Sequence, residues 1–394
     1  MQRDGVREPV ITLSTGPVPA YPRVLQALSR PVHYDFDDWF QGFYESVAKK
    51  TARALRWDEP ALILHAEPAV GLEAAAASLI GRRDVVLNLV SGVYGKGFGY
   101  WARRYAREVV EVEVPYNEAI DPQQVREALR RRPDTAVVSV VHHDTPSGTL
   151  NPVREIGQVV REHGALLLVD AVSSFGGMDI HPADCGADMF ITGPNKCLGA
   201  PPGLTIAAVS ERAWAHMAAN PDAPRDSVLS VLDWKEAWRR DRPFPFTPSV
   251  AEVNALDAAL DQYFDEGPEE VWRRHALTAA ACRAGVKAMG LELWPAREAI
   301  AAPTTTAVRV PAGLADTAIL AALRASFGVV FSLGRKETLG KLLRIGHMGA
   351  VAEPAYAIVA ISALGGALRA LGRNTDVGAG VEAAMAVVLD ARRP

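Results

Sequence analysis

Three cysteines in 394 residues, Cys185, Cys197 and Cys282, are too few and too irregularly spaced for a disulfide framework or a cysteine metal site. Positive charge is not in excess either. The formal net charge is −4 with no basic block, which removes the electrostatic footprint of a nucleic-acid binder. Long apolar runs are missing: the best stretch, residues 355–368, is broken by Gly365-Gly366 and is too short to span a bilayer, so no membrane partner is expected. The opening MQRDGVREPV lacks the apolar core of a signal peptide, and a cytoplasmic location is expected. His142 and His143 have no third partner at ligand spacing, which argues against a metal. What remains, 49% hydrophobic and 22% charged residues, is the balance of an ordinary globular protein, long enough for more than one core.

Short apolar runs alternate with helical segments through the first two thirds of the chain: ALILH, DVVLNLV, the segment 105–114, TAVVSVV, GALLLVDAV and LTIAAVS. That rhythm predicts an α/β fold with a doubly wound, mostly parallel sheet. Residues 1–22 are rich in Pro and Gly and read as an extended arm. Pro268 opens a long helix that Gly290 closes, and the change of domain is placed on it. The expected division is an arm (1–22), a large α/β domain (23–275) and a smaller α+β domain (276–394), whose strands are TTTAVRV, GVVFSL and KLLRIGHMG.

The chemistry concentrates between Ala165 and Gly203. Asp170 ends a strand-like apolar run, at the edge where α/β sheets bind ligands. Lys196 follows a second such run on a Gly193-Pro194 turn, and the interval between the two leaves room for a crossover. A carboxylate and an amine so placed are what a pyridine aldehyde needs: an acid to keep the ring nitrogen protonated and an amine for a Schiff base.

VDAVSSFGG followed by TGPNKCLGAPPGLT, together with YGKGFGYWARRY, VVHHDTPSGTLNP and RIGHMG, resembles the class V, alanine:glyoxylate aminotransferase-like branch of the fold-type I pyridoxal-phosphate aminotransferases, nearly end to end. The resemblance implies a fold-type I large domain and Lys196 as the Schiff-base lysine. It implies transamination between pyridoxamine and pyruvate, giving pyridoxal and L-alanine, as in vitamin B6 degradation. It also implies a homo-oligomer built from dimers, a tetramer by expectation, with the Thr15-Gly16-Pro17 turn near the site. By the same resemblance Tyr94 lies over the pyridine face, Thr145 meets the ring 3-oxygen, and Arg344 with Arg335 grips the amino-acid carboxylate. Thr247 and Phe246 match a position that reaches a neighbouring subunit.

The turn before the helix at residues 70–80 departs from the family pattern. The family cups the cofactor phosphate there with small hydroxyl residues at a helix N-terminus, whereas this chain reads His65-Ala66-Glu67-Pro68-Ala69. Glu67 stands at a serine position, and Pro68 has no N–H to offer. Like-charge repulsion there implies a site for the unphosphorylated vitamer, with no resident cofactor and with pyridoxal and pyridoxamine binding as substrates. From the residues alone Glu67 reads first as a surface carboxylate capping the helix, while Tyr94 is equally a packing residue and Arg335 equally a solvated loop cation. Two other functions stay open: a phosphate-dependent alanine:glyoxylate or serine:pyruvate aminotransferase, and a non-catalytic vitamer-binding protein.

Overall fold

A computed structural model of the chain describes all residues except 1, 4, 5, 8, 9 and 392–394. After a short hairpin of β1 (Gln2–Arg3) and β2 (Val6–Arg7), β3 (Ile11–Leu13) leads into α1 (Pro22–Leu28) and α2 (Asp38–Leu55). The alternation then runs β4 (Leu62–Leu64), α3 (Pro68–Leu79), β5 (Val85–Val90), α4 (Val93–Tyr105), β6 (Glu108–Glu113), α5 (Pro122–Arg131) and β7 (Thr135–Val141). A second hairpin, β8 (His143–Asp144) with β9 (Thr149–Leu150), precedes α6 (Val153–His163), β10 (Leu166–Asp170), β11 (Met189–Thr192), β12 (Thr205–Val209) and α7 (Glu211–Ala219). Next come α8 (Val250–Glu266), α9 (Pro268–Ala288), β13 (Thr305–Arg309), α10 (Asp316–Phe327), β14 (Val329–Leu333), β15 (Leu342–Gly346), α11 (Pro354–Ala370) and α12 (Val377–Asp390).

The large sheet has the order β4-β12-β11-β10-β7-β5-β6, and only β12 runs against its neighbours. The mostly parallel α/β sheet expected from the rhythm is therefore present. Its central strands are buried on both faces because helices cover both sides, which is why they read as unbroken apolar runs and not as alternating ones. The edge strand β6, EVVEVE, is partly exposed: Glu108 and Glu113 face solvent at its ends, while Glu111 is paired with Lys96 and Arg103 of α4. It begins at Glu108, later than the sequence suggests, because α4 continues through Tyr105.

A smaller sheet, β13-β15-β14-β3, holds the site from the other side. Its fourth strand comes from the arm: β3 pairs in parallel with β14, Ile11 beside Val329 and Leu13 beside Phe331. No local sequence signal marks that pairing, because its partner lies near the opposite end of the chain. One hydrophobic cluster extends from Val24 to Val271 under the large sheet, and a second joins Leu13 to Ala281, Cys282, Val286 and the residues of α10 to α12. Helix α9 contributes to both.

Arg274 is the polar tie at that crossing. It is buried, and its guanidinium donates to Gly349 O (2.9 Å), Ala352 O (2.8 Å), Glu266 Oε1 (2.6 Å) and Tyr21 Oη (3.2 Å). Replacing it leaves buried acceptors unpaired, so Arg274→Met is expected to lower stability by about 3 kcal/mol. Denaturant midpoints of the two proteins check this, and a loss below about 1 kcal/mol would show the tie to be dispensable.

Candidate active site

The neighbouring strands β10 and β11 run parallel and deliver both key groups to one end of the sheet. Asp170 is the last residue of β10, 7% exposed, and its Oδ1 accepts the Val172 N–H at 2.9 Å. Burial pushes this carboxyl up to about 7, against the pull of that N–H. Lys196 stands on the turn after β11, 9% exposed, and its amine is brought down to about 8 by burial first and then by the Arg344 cation. The turn is packed against the start of α3: a Cβ on Gly193 would lie 2.4 Å from Pro68 Cγ.

Helix α4 forms the opposite wall. Val93, Gly97 and Trp101 fall at four-residue steps on one face, with Tyr94 beside them in the first turn. The N-terminus of α4 has no capping side chain of its own. Asp144, fully buried, supplies the acceptor instead: its Oδ2 takes the N–H groups of Tyr94 (2.9 Å) and Gly95 (3.1 Å). Gly92 is required by this approach, since a Cβ there would lie 2.3 Å from Asp144 Cγ. Desolvation holds Asp144 up at about 6 and raises the Tyr94 phenol above its ordinary range.

From the small sheet comes Arg344, in β15 and 7% exposed. Its Nε and Nη2 donate to Leu333 O (3.0 and 2.6 Å), and Nη1 donates to Thr15 Oγ1 (2.9 Å). Among the described residues no carboxylate lies within ion-pair distance of it. A buried cation in that state is costly unless an anionic ligand completes it. Arg335 is exposed, its guanidinium 5.9 Å from the Tyr94 ring centroid, with Lys336 beside it 5.2 Å from the Tyr100 ring.

Glu67 caps α3: its Oε2 accepts the Ala69 N–H at 2.8 Å, and Pro68 occupies the first helical position. The turn therefore offers an incoming anion a carboxylate and one N–H fewer.

These elements enclose a cavity of about 440 Å³, within the range of small-molecule sites. Glu67, Tyr94, Asp170, Lys196 and Arg335 line it. Thr145 and Arg344 do not. Thr145 is fully buried, and its hydroxyl donates to Ser173 Oγ, which does line the cavity. Arg344 connects through Thr15, whose carbonyl accepts the Lys196 amine at 2.5 Å. Sequence reasoning left Trp101, Ser173 and Asp144 unassigned. The helical spacing of Val93, Gly97 and Trp101 could have exposed the first, whereas the other two emerge only once the strand ends are assembled. Phe246 is partly exposed and packs edge-on against Trp234, 5.0 Å between centroids, away from this cavity.

The family model described as aminotransferase class V matches residues 100–352. The pyridoxamine–pyruvate transaminase of Mesorhizobium japonicum is 64% identical over 97% of each chain. The crystal structure of pyridoxamine-pyruvate aminotransferase from Mesorhizobium loti superposes with a TM-score of 0.97 at 63% identity, covering 100% of both chains. That of ureidoglycine-glyoxylate aminotransferase from Bacillus subtilis gives 0.91 at 28% identity, covering 98% of this chain and 100% of that one. The architecture is accordingly the fold-type I aminotransferase fold. One expectation is corrected by these matches: class V aminotransferases depend on pyridoxal phosphate, which overturns the inference of no resident cofactor drawn from Glu67. The residues present fit the ring and aldehyde of that group, with Asp170, Tyr94 and Lys196 around one cavity, while the α3 terminus, where a phosphate would lie, carries Glu67. Matched over more than half its length, and with a relative this similar from end to end, the chain belongs to the class V aminotransferases.

Proposed function

We propose that the protein transfers the amino group of pyridoxamine to pyruvate, giving pyridoxal and L-alanine, a reaction suited to vitamin B6 degradation. The observation that carries the reading is the convergence of the Lys196 amine and the Asp170 carboxylate on one cavity, in a chain 64% identical to a protein of that name. When bound, the pyridine ring supplies an electron sink for the carbon that loses or gains the proton. Asp170, whose Oδ2 has no hydrogen bond within the described chain, keeps the ring nitrogen protonated. Tyr94 stacks on the ring face, and Thr145 orients the 3-oxygen through the Ser173 hydroxyl. Lys196 moves the proton between the amino-acid α-carbon and the carbon attached to the ring. Arg344, with Arg335 at the mouth, takes the carboxylate of pyruvate or alanine.

An assay of pyridoxamine with pyruvate tests the reading; turnover of alanine with glyoxylate alone would favour the alternative aminotransferase. Lys196→Ala is expected to abolish turnover while pyridoxal still binds, because ring stacking and Asp170 do not need the amine. Activity within about tenfold of the natural protein would remove Lys196 from the chemistry. The pH dependence has a defined sign. A lowered amine pKa leaves the reactive neutral form dominant above about 8, so covalent capture of pyridoxal by Lys196 should quicken with pH and level off beyond that value. Stopped-flow absorbance measures it, and a midpoint near the ordinary 10.5 would contradict the buried position.

Glu67 sets the balance between phosphorylated and free vitamers at the ring site. Its carboxylate holds the α3 N–H that would otherwise face a phosphate, and it adds like-charge repulsion. Glu67→Ser is expected to improve binding of pyridoxal phosphate relative to pyridoxal by about tenfold to a hundredfold. Pro68 still withholds an N–H, so full reversal is not expected. Dissociation constants for both vitamers decide it; an unchanged ratio would leave Glu67 as a helix cap only.

The oligomer is read as dimer-based and tetrameric, supported by the exposed apolar side chains Val32, Tyr34, Phe36 and Trp39 clustered before and within α2. Among the described residues no helix is long and apolar enough to cross a membrane. A cytoplasmic location is supported by three unpaired, buried cysteines.

A further inference from the structure

One residue of the arm touches both halves of the site. Thr15 follows β3 and is 2% exposed. Its backbone N–H donates to Ser332 Oγ at 3.0 Å, and its hydroxyl donates to the same oxygen at 3.2 Å. That hydroxyl oxygen accepts Arg344 Nη1 at 2.9 Å, and the Thr15 carbonyl accepts Lys196 Nζ at 2.5 Å. Every polar group of Thr15 is committed, on one side to the small sheet and on the other to the lysine of the large domain. Among the described residues Lys196 Nζ has no other hydrogen-bond partner.

Two glycines make the approach possible. Gly16 has φ +131°, and a Cβ on it would lie 2.0 Å from Lys196 Nζ. A Cβ on Gly346 would lie 2.1 Å from Ser14 O. The arm thus threads between β15 and the lysine with no room to spare, and Ser332, the register partner of Arg344 in β14, fixes Thr15 from the side.

We propose that Thr15 is a positioning residue for the transamination: its hydroxyl fixes the plane of the Arg344 guanidinium, and its carbonyl holds the free Lys196 amine in register with it. The proposal rests on the roles given above to Lys196 and Arg344. A guanidinium has five N–H donors. Three are used within the chain, two on Leu333 O and one on Thr15 Oγ1, so one remains on each terminal nitrogen. That pair suits a carboxylate bound through both oxygens. Without the Thr15 hydroxyl the guanidinium is tied at Leu333 O alone and can turn about that point, so the direction of the free pair is no longer fixed. The vitamer ring, held by Asp170 and Tyr94, does not depend on this contact. Loss of the hydroxyl should therefore act on the keto acid and spare the ring.

Four proteins test it: Thr15→Ala, Thr15→Ser, Arg344→Ala and the double variant Thr15→Ala/Arg344→Ala, each assayed for kcat and for both KM values. Loss of one charge-assisted hydrogen bond predicts that Thr15→Ala raises the KM for pyruvate about tenfold or more, with the KM for pyridoxamine within about twofold. Thr15→Ser should restore the pyruvate KM. In the Arg344→Ala background the Thr15 change should add nothing, because the residue acts through that guanidinium. An equal rise in both KM values, no rescue by serine, or a full extra factor in the double variant would each overturn the proposal. A pyruvate KM unmoved by Arg344→Ala would instead overturn the carboxylate reading and this proposal with it. Should Thr15→Ala fail to fold, Thr15→Val, which keeps the shape and lacks the hydroxyl, carries the same expectations.

Discussion

Desolvated charge is the constraint on which the site depends. Asp170, Lys196, Arg344 and Asp144 are each at least nine-tenths buried, and none of them has an opposite charge at ion-pair distance among the described residues. Such groups are held in place by donors and acceptors of fixed direction: the Val172 N–H on Asp170, the Thr15 carbonyl on Lys196, the Leu333 carbonyl on Arg344 and the first turn of α4 on Asp144. The burial shifts the acids up and the amine down, toward neutrality, where both proton transfer and nucleophilic attack become feasible. A ligand that brings a protonated ring nitrogen and a carboxylate supplies the two missing counter-charges. On the proposed reading, the same arrangement that is costly in the free protein would be the source of affinity for a zwitterionic amino acid and a pyridinium ring.

The fold makes this arrangement by bringing together ends that the chain keeps far apart. Parallel strands all finish on the same side, so Asp170 from β10 and the turn after β11 meet without any special device. The small sheet adds Arg344, and its fourth strand, β3, returns the beginning of the chain to the lysine. The arm is thus structural and chemical at once. Leu13 packs in the small core, and two residues later Thr15 lies between a guanidinium and an amine.

Legibility in the sequence follows the range of the interaction. Strands β10 and β11, helix α9 with its opening Pro268, and the small-domain strands are readable because burial on both faces and terminal residues are written locally. Asp170 and Lys196 stand out for the same reason, each at the end of an apolar run. Thr145 is legible as a polar residue at a strand end and Arg344 as a cation inside an apolar strand, but their placement behind Ser173 and Thr15 is not, since it depends on side chains contributed by other elements. Asp144 was silent because a carboxylate beside a strand end has no sequence feature that distinguishes a cap for a helix fifty positions upstream.

Glu67 shows how far a local reading can be taken. The carboxylate caps α3 as its position suggests, and the physics of a helix end that attracts anions stands. What does not follow from one capping residue is the inventory of cofactors, because affinity for a ring system is the sum over its whole surface. In the proposed site Asp170, Tyr94, the Lys196 amine and the hydroxyls behind them would act on the ring whether or not a phosphate is attached. In the role proposed for it, Glu67 would act only on the difference between the two forms, altering a ratio of affinities without deciding which of them is large. Membership of a pyridoxal-phosphate-dependent family is evidence about the ring site, where this chain keeps the lysine, the acid and the aromatic wall; the proposal for Glu67 concerns only selectivity at its rim.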